Sequence, residues 1–118
     1  MIDRQKFEEN FRGIDKEVII SIIDIFEEEY PRRISGIHWN ILEEDFTSLA
    51  FNAHSLKGVV GSFLAEVPSE LLARLELLAK ENKGDEMISL FNQLQSSLEN
   101  LLHELKKIRE DLVSDAKQ

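Results

Sequence analysis

The last third of the chain carries an unbroken heptad. Met87, Phe91, Leu94, Leu98, Leu101, Leu105, Ile108 and Leu112 recur at spacings that alternate between four and three. That rhythm puts every one of them on a single side of an α-helix, so the pattern predicts one helix from about Asp85 to Asp115. A helix with so wide an apolar stripe needs partner helices along its length, and the rest of the chain has to supply them.

Five further segments show helical spacing. Asp3 to Phe11 reads as a short helix that docks through Ile2, Phe7 and Phe11, and Gly13 ends it. Asp15 then caps a helix to about Glu29, whose apolar face is Ile19, Ile22, Ile23 and Phe26. Pro31 is expected to end or kink it, because proline lacks the amide donor and its ring crowds the preceding turn. A separate helix is expected from Pro31 to about Glu43, weakened by Gly36. Asp45 caps the next, which carries Phe46, Leu49, Ala53, Leu56, Val60 and Leu64. Pro68 and Ser69 mark the start of a leucine-rich helix, and Asn82-Lys83-Gly84 form the turn that follows it. No stretch alternates with period two. The expected fold is all-α: an antiparallel four-helix bundle with one or two additional short N-terminal helices, in one domain over 1–118 with its core at roughly 15–112.

Composition removes several classes of function. There is no cysteine, which rules out disulfides, thiolate metal sites and cysteine nucleophiles. Fourteen basic and 23 acidic residues give a net charge of −9, which repels nucleic acid and anionic lipid. The apolar runs are too short to span a bilayer, and the N-terminus has no signal-like segment, so a cytoplasmic protein is expected. No glutamate precedes a histidine by three residues, the spacing a di-iron bundle requires, and no phosphate-cradling glycine loop is present, so no bound metal or cofactor is expected.

One stretch carries chemistry: Ala53-His54-Ser55-Leu56-Lys57-Gly58-Val59-Val60-Gly61-Ser62-Phe63. On a helical wheel Leu49, Ala53 and Val60 face the core, and His54 falls on the flank of that stripe. Thr47, Phe51, Gly58 and Gly61 share the row of His54. Two glycines inside a helix cost roughly 1 kcal/mol each relative to alanine, which calls for a compensating reason. Either they let another helix pack closely, or they leave room beside the imidazole for an incoming surface. Lys57, one turn along, is a point charge suited to a phosphoryl oxygen. A neutral imidazole nitrogen is a nucleophile near pH 7. No acidic residue lies on the row of His54, so no base stands ready on that helix to turn water against a group held there. His38 and His103 lack comparable surroundings.

His54-Ser55-Leu56-Lys57-Gly58 resembles the phosphorylation motif of histidine-containing phosphotransfer (HPt) domains, where His, a spacer, an apolar residue, Lys and Gly follow in sequence. The likeness covers roughly Asp15 to Ile108: an aspartate-capped helix leads into the motif, a leucine-rich helix follows, and a long helix closes the bundle. Family members often have glycine about ten residues after the histidine, then a small residue; Leu64 and Ala65 stand here instead.

The resemblance implies that His54 accepts a phosphoryl group, that Lys57 steadies it and that Gly58 keeps the approach open. It implies reversible exchange with a response-regulator receiver domain, whose aspartate and bound magnesium supply the rest of the chemistry, and with a hybrid or sensor histidine kinase. The chain would then be a carrier in a phosphorelay rather than a self-sufficient kinase, since it is too short to add an ATP-binding domain. Thr47, Phe51, Ser55, Val59, Gly61 and Ser62 are the expected docking residues, with cover by the N-terminal helix as the alternative for Phe51 and Val59. A second reading is a helical scaffold that binds a signalling partner without phosphotransfer; the heptad and the acidic surface motivate it. The heptad also allows pairing with a second chain, although a monomer is the leading expectation.

Overall fold

A computed structural model describes residues 2–116, and among them there are five helices and no strand: α1 (Arg4–Asn10), α2 (Lys16–Leu42), α3 (Phe46–Ser62), α4 (Glu66–Lys80) and α5 (Met87–Ala116). Helices α2 to α5 form the expected bundle. Each packs on its neighbour in sequence, and α5 closes the ring against α2. Their inner faces share one apolar core, with Ile23, Ile37, Leu49, Leu56, Leu72, Leu94, Leu98 and Leu105 fully enclosed.

The largest difference from expectation is α2. The segments on either side of Pro31 form one helix of 27 residues. The reason is visible in its buried face. Ile19, Ile23, Phe26, Ile34, Ile37 and Ile41 line one side without a phase break, and half-buried Tyr30 bridges the gap in the middle. A helix break at Pro31 would rotate the two halves out of register and expose one of them. Proline removes one amide donor, and its ring is on the exposed side of the helix. Continuous burial along both halves outweighs that local penalty.

Asp15 and Asp45 stand at the expected N-caps, and the start of one helix shifts. Asp15 occupies the N-cap of α2, but its side chain makes no capping bond, whereas Asp45 Oδ1 accepts from Ser48 N at 3.1 Å to start α3. Helix α4 begins at Glu66, so Pro68 falls in its first turn, where the lost donor has no helical partner anyway.

The three connections inside the bundle are built alike. Asp45 N, Ala65 N and Lys83 N each bond back to a carbonyl five residues earlier, on Asn40, Val60 and Leu78. The residue before each is left-handed: Glu44 at φ 55°, Leu64 at φ 58° and Asn82 at φ 56°. Leu64 thus occupies the position where relatives of this motif often have glycine, and a leucine pays about 1 kcal/mol of local strain to stand there.

At 1.5 Å per residue, α2 and α5 reach about 40 and 45 Å, whereas α3 and α4 reach only about 25 and 22 Å. The two long helices therefore overhang the α3–α4 hairpin. Helix α1 fills the gap: Ile2, Phe7 and Phe11 are buried there beside Ile19, Ile108 and Leu112. Ile2 N donates to Glu104 Oε2 at 2.7 Å, and Arg4 pairs with Asp111 at 3.0 Å. The heptad of α5 is accordingly spent within the chain, from Met87 through Ile108. No helix among the described residues is long and apolar enough to cross a membrane.

Because α2 is continuous, Pro31→Ala restores a helical hydrogen bond without lengthening any helix. It should raise unfolding free energy by about 1–3 kcal/mol, with unchanged helical content by circular dichroism. A loss of stability in urea titration would show that a true break at Pro31 is required.

Candidate functional site

The middle of α3 carries the site. Leu49, Ala53, Leu56 and Val60 anchor that helix in the core, which turns His54 outward onto the adjoining face. The imidazole is 70% exposed. Its Nδ1 lies 2.7 Å from Oε1 of Glu76, on the facing helix α4.

Glu76 did not announce itself in a reading of α3 alone, and it amends the expectation that no acidic group stands beside His54. That expectation holds along α3 itself; the carboxylate arrives from the neighbouring helix. A signal was present in the sequence. Glu76 sits four residues after Leu72 and three before Ala79, on the buried stripe of α4, and a charged residue on such a stripe has to be paired.

The structure pairs it three times. Besides His54, Lys57 Nζ approaches Oε1 at 3.4 Å and Lys80 Nζ approaches Oε2 at 3.5 Å. Burial alone would push the Glu76 carboxyl upward. The hydrogen bonds from His54 and Lys57 and the charges of Lys57 and Lys80 more than offset it, and the carboxyl is held below its ordinary range. Glu76 is therefore a carboxylate at neutral pH and can only accept. The shared proton belongs on Nδ1 of His54, which leaves Nε2 with its lone pair facing solvent. A ring fixed in this tautomer is a nucleophile at Nε2, and any positive charge it gains is met by Glu76 across Nδ1–H. With its oxygens occupied by three cationic or N–H partners, Glu76 is poorly placed to activate water.

Lys57 lies one turn from His54, as expected, and is tied to Glu76 in this state. Gly58 and Gly61 are exposed, and a Cβ built on either would meet nothing within 4 Å. Close helix packing, one of the two readings of these glycines, is thereby removed. The absent side chains leave the surface of α3 bare.

The expected docking residues divide into two groups. Thr47 is exposed, and Phe51 is exposed to 74% with no cover from α1. Ser55 is half-buried and accepts from Arg33 Nη1 at 3.2 Å. Val59 is half-buried and packs against the core. Gly61 and Ser62 lie toward α1 instead. Gly61 shares a cavity with Asp3 and Lys6, and the carbonyl of Ser62 accepts from Asn10 Nδ2 at 3.3 Å. Away from the site, the His38 ring stacks on Phe91 with centroids 4.6 Å apart.

The Hpt domain family model matches residues 21–107, which run from the second turn of α2 through most of α5. The chain belongs to the Hpt domain family. Hpt domains serve histidine phosphotransfer in two-component systems and interact with receiver domains and kinases in phosphorelays. No curated protein and no solved structure matches this Hpt domain.

The depressed Glu76 carboxyl ties stability to pH. Its contribution is present above the ordinary carboxylate pKa of about 4.3 and is lost as pH falls through the lower folded-state value. Glu76→Gln should therefore unfold at lower urea than wild type at pH 7, with the gap closing between about pH 5 and pH 3. A gap that is constant with pH would mean the carboxylate is not what its partners stabilise.

Proposed function

We propose that this Hpt domain carries a phosphoryl group on Nε2 of His54 and exchanges it with the aspartate of a receiver domain. The observation that carries the proposal is the geometry of the ring: Nδ1 lies 2.7 Å from the Glu76 carboxylate while the imidazole is 70% exposed, which favours the proton on Nδ1 and leaves Nε2 to solvent. In the forward step Nε2 attacks the phosphorus of a receiver's aspartyl phosphate. The Nε2–P bond forms as the P–O bond breaks, and the carboxylate leaves with the electron pair. The ring takes up one positive charge, which Glu76 balances through Nδ1–H. The reverse step returns the group to a receiver aspartate.

Lys57 stands one turn from the ring, 3.4 Å from the same carboxylate oxygen. A small swing of its flexible stem brings the ammonium to the phosphoryl oxygens, so it is the residue proposed to steady them. Gly58 keeps the approach to Nε2 open. Magnesium belongs to the receiver in this scheme, and the chain binds no cofactor of its own. An upstream hybrid or sensor kinase supplies the phosphoryl group, and the cytoplasm is the expected setting.

Two variants test this. His54→Gln should accept no label from a phosphorylated receiver, whereas wild type does; equal labelling would reject the site. Gly58→Ala should raise unfolding free energy by about 0.5–1 kcal/mol, as expected for a glycine removed from a helix interior, yet slow transfer. Faster or unchanged transfer in that stabilised variant would mean that the bare surface serves no partner.

A further inference from the structure

Two sides flank His54, and they differ in chemistry. On the α4 side, exposed Leu77 lies on a strip with Glu70, two turns before it, and Glu81, about one turn after it. On the α2 side a groove of about 340 Å³ runs between α2 and α3, lined by Arg32, Arg33, Gly36, Phe51, Asn52 and Ser55. Arg33 forms its wall: Nε holds Glu29 at 3.1 Å, and Nη1 donates to Ser55 at 3.2 Å. The Ser55 hydroxyl accepts that bond and keeps its own proton to donate. Arg32 is exposed at the rim and makes no ion pair among the described residues. Trp39, two turns along from Arg32 on the outer face of α2, is 62% exposed, and Phe51 is 74% exposed.

Gly36 adds an independent observation. It stands inside α2, where glycine costs about 1 kcal/mol relative to alanine, and a Cβ there would meet nothing within 4 Å. The chain has no internal use for that missing side chain. It lines the groove beside Phe51, and Gly58 stands two turns beyond Phe51 on α3. In a chain of net charge −9, the exposed Arg32 and the Glu29-bound Arg33, beside exposed aromatic rings, form a surface suited to an acidic, partly apolar partner.

We propose that the α2–α3 groove is where the receiver domain seats an acidic side chain, with Arg32, Arg33 and Ser55 holding the carboxylate and Phe51 and Trp39 covering an adjacent apolar patch. The inference rests on the phosphotransfer reading above and adds the direction of approach and a set of residues that selects among receivers. A receiver fits by charge where acidic side chains flank its acceptor aspartate, since Arg32 at the rim beside His54 complements them. Arg32 would act mainly on association, and its effect would fade with salt.

The test separates docking from chemistry. His54 is loaded with phosphoramidate, whose P–N bond breaks with release of ammonia as Nε2–P forms; this small donor needs no groove. The purified phosphoprotein is then mixed with a panel of magnesium-loaded receiver domains at low and high salt. Arg32→Glu should load like wild type but transfer at least tenfold more slowly to the receivers that wild type serves, with the difference shrinking in high salt. Gly36→Leu, which fills the groove without altering charge, should slow transfer at both salt concentrations while its melting temperature stays at or above that of wild type. Glu81→Lys on the α4 side should stay within twofold. Transfer by Arg32→Glu within twofold of wild type at low salt, or a tenfold loss confined to Glu81→Lys, would overturn the groove assignment while leaving the His54 reading intact. Failure of wild type to load would overturn both.

Discussion

A carboxylate on one helix and an imidazole on the next hold this site together. Glu76 is one of two polar residues buried in the described structure, the other being Asn40. A buried charge is costly unless it is fully paired. Here the pairing is supplied by His54, Lys57 and Lys80 from both helices of the α3–α4 hairpin. The same contacts that make the burial tolerable also choose the tautomer of His54. Folding and reactivity are thus coupled through one hydrogen bond of 2.7 Å. Asn40 follows the same rule, since its Oδ1 accepts from Asn52 Nδ2 at 2.7 Å and ties α2 to α3 near the site.

The hairpin can be short because the long helices carry the fold. Helices α2 and α5 are cross-linked along their contact by Arg109 and Asp24, which meet at 2.6 and 3.3 Å. Their overhang is sealed by α1, so the region most remote from His54 is also enclosed. The site itself sits on the part of the bundle where all four of the helices α2 to α5 are present. It is built on rigid helix interiors rather than on loops, which suits a group that has to meet a partner in one fixed geometry.

Surface features near the site follow a common logic. Gly36, Gly58 and Gly61 each weaken a helix, and none is needed for packing inside the chain. Lys57 and Lys80 gather on Glu76 on the α4 flank of His54, and Arg33 reaches Ser55 on the α2 flank, in a molecule that is acidic as a whole. Bare backbone that no internal contact requires is what the proposed docking of a partner would use. Leu64 shows the opposite bias. Its strained left-handed conformation is tolerated because half-burial of the side chain and the two backbone bonds that close the α3 end offset it.

What could be read from the residues alone was whatever depends on neighbours along one helix. The heptad of α5, the core stripe of α3, the flank position of His54 and the docking of Phe7 and Phe11 all follow from spacing, because spacing alone determines which side of a helix a residue occupies. The tertiary structure decided the rest. It joined the halves of α2 across Pro31, since the gain from a continuous buried face is shared among several helices while the proline penalty is local. It drew Val59 against the core and turned Gly61 and Ser62 toward α1. Above all it brought Glu76 to His54 across 22 positions of sequence. That meeting depends on how far α4 slides along α3, and the slide is set by the turn at Leu64 and the packing of both helices, which no single helical wheel contains.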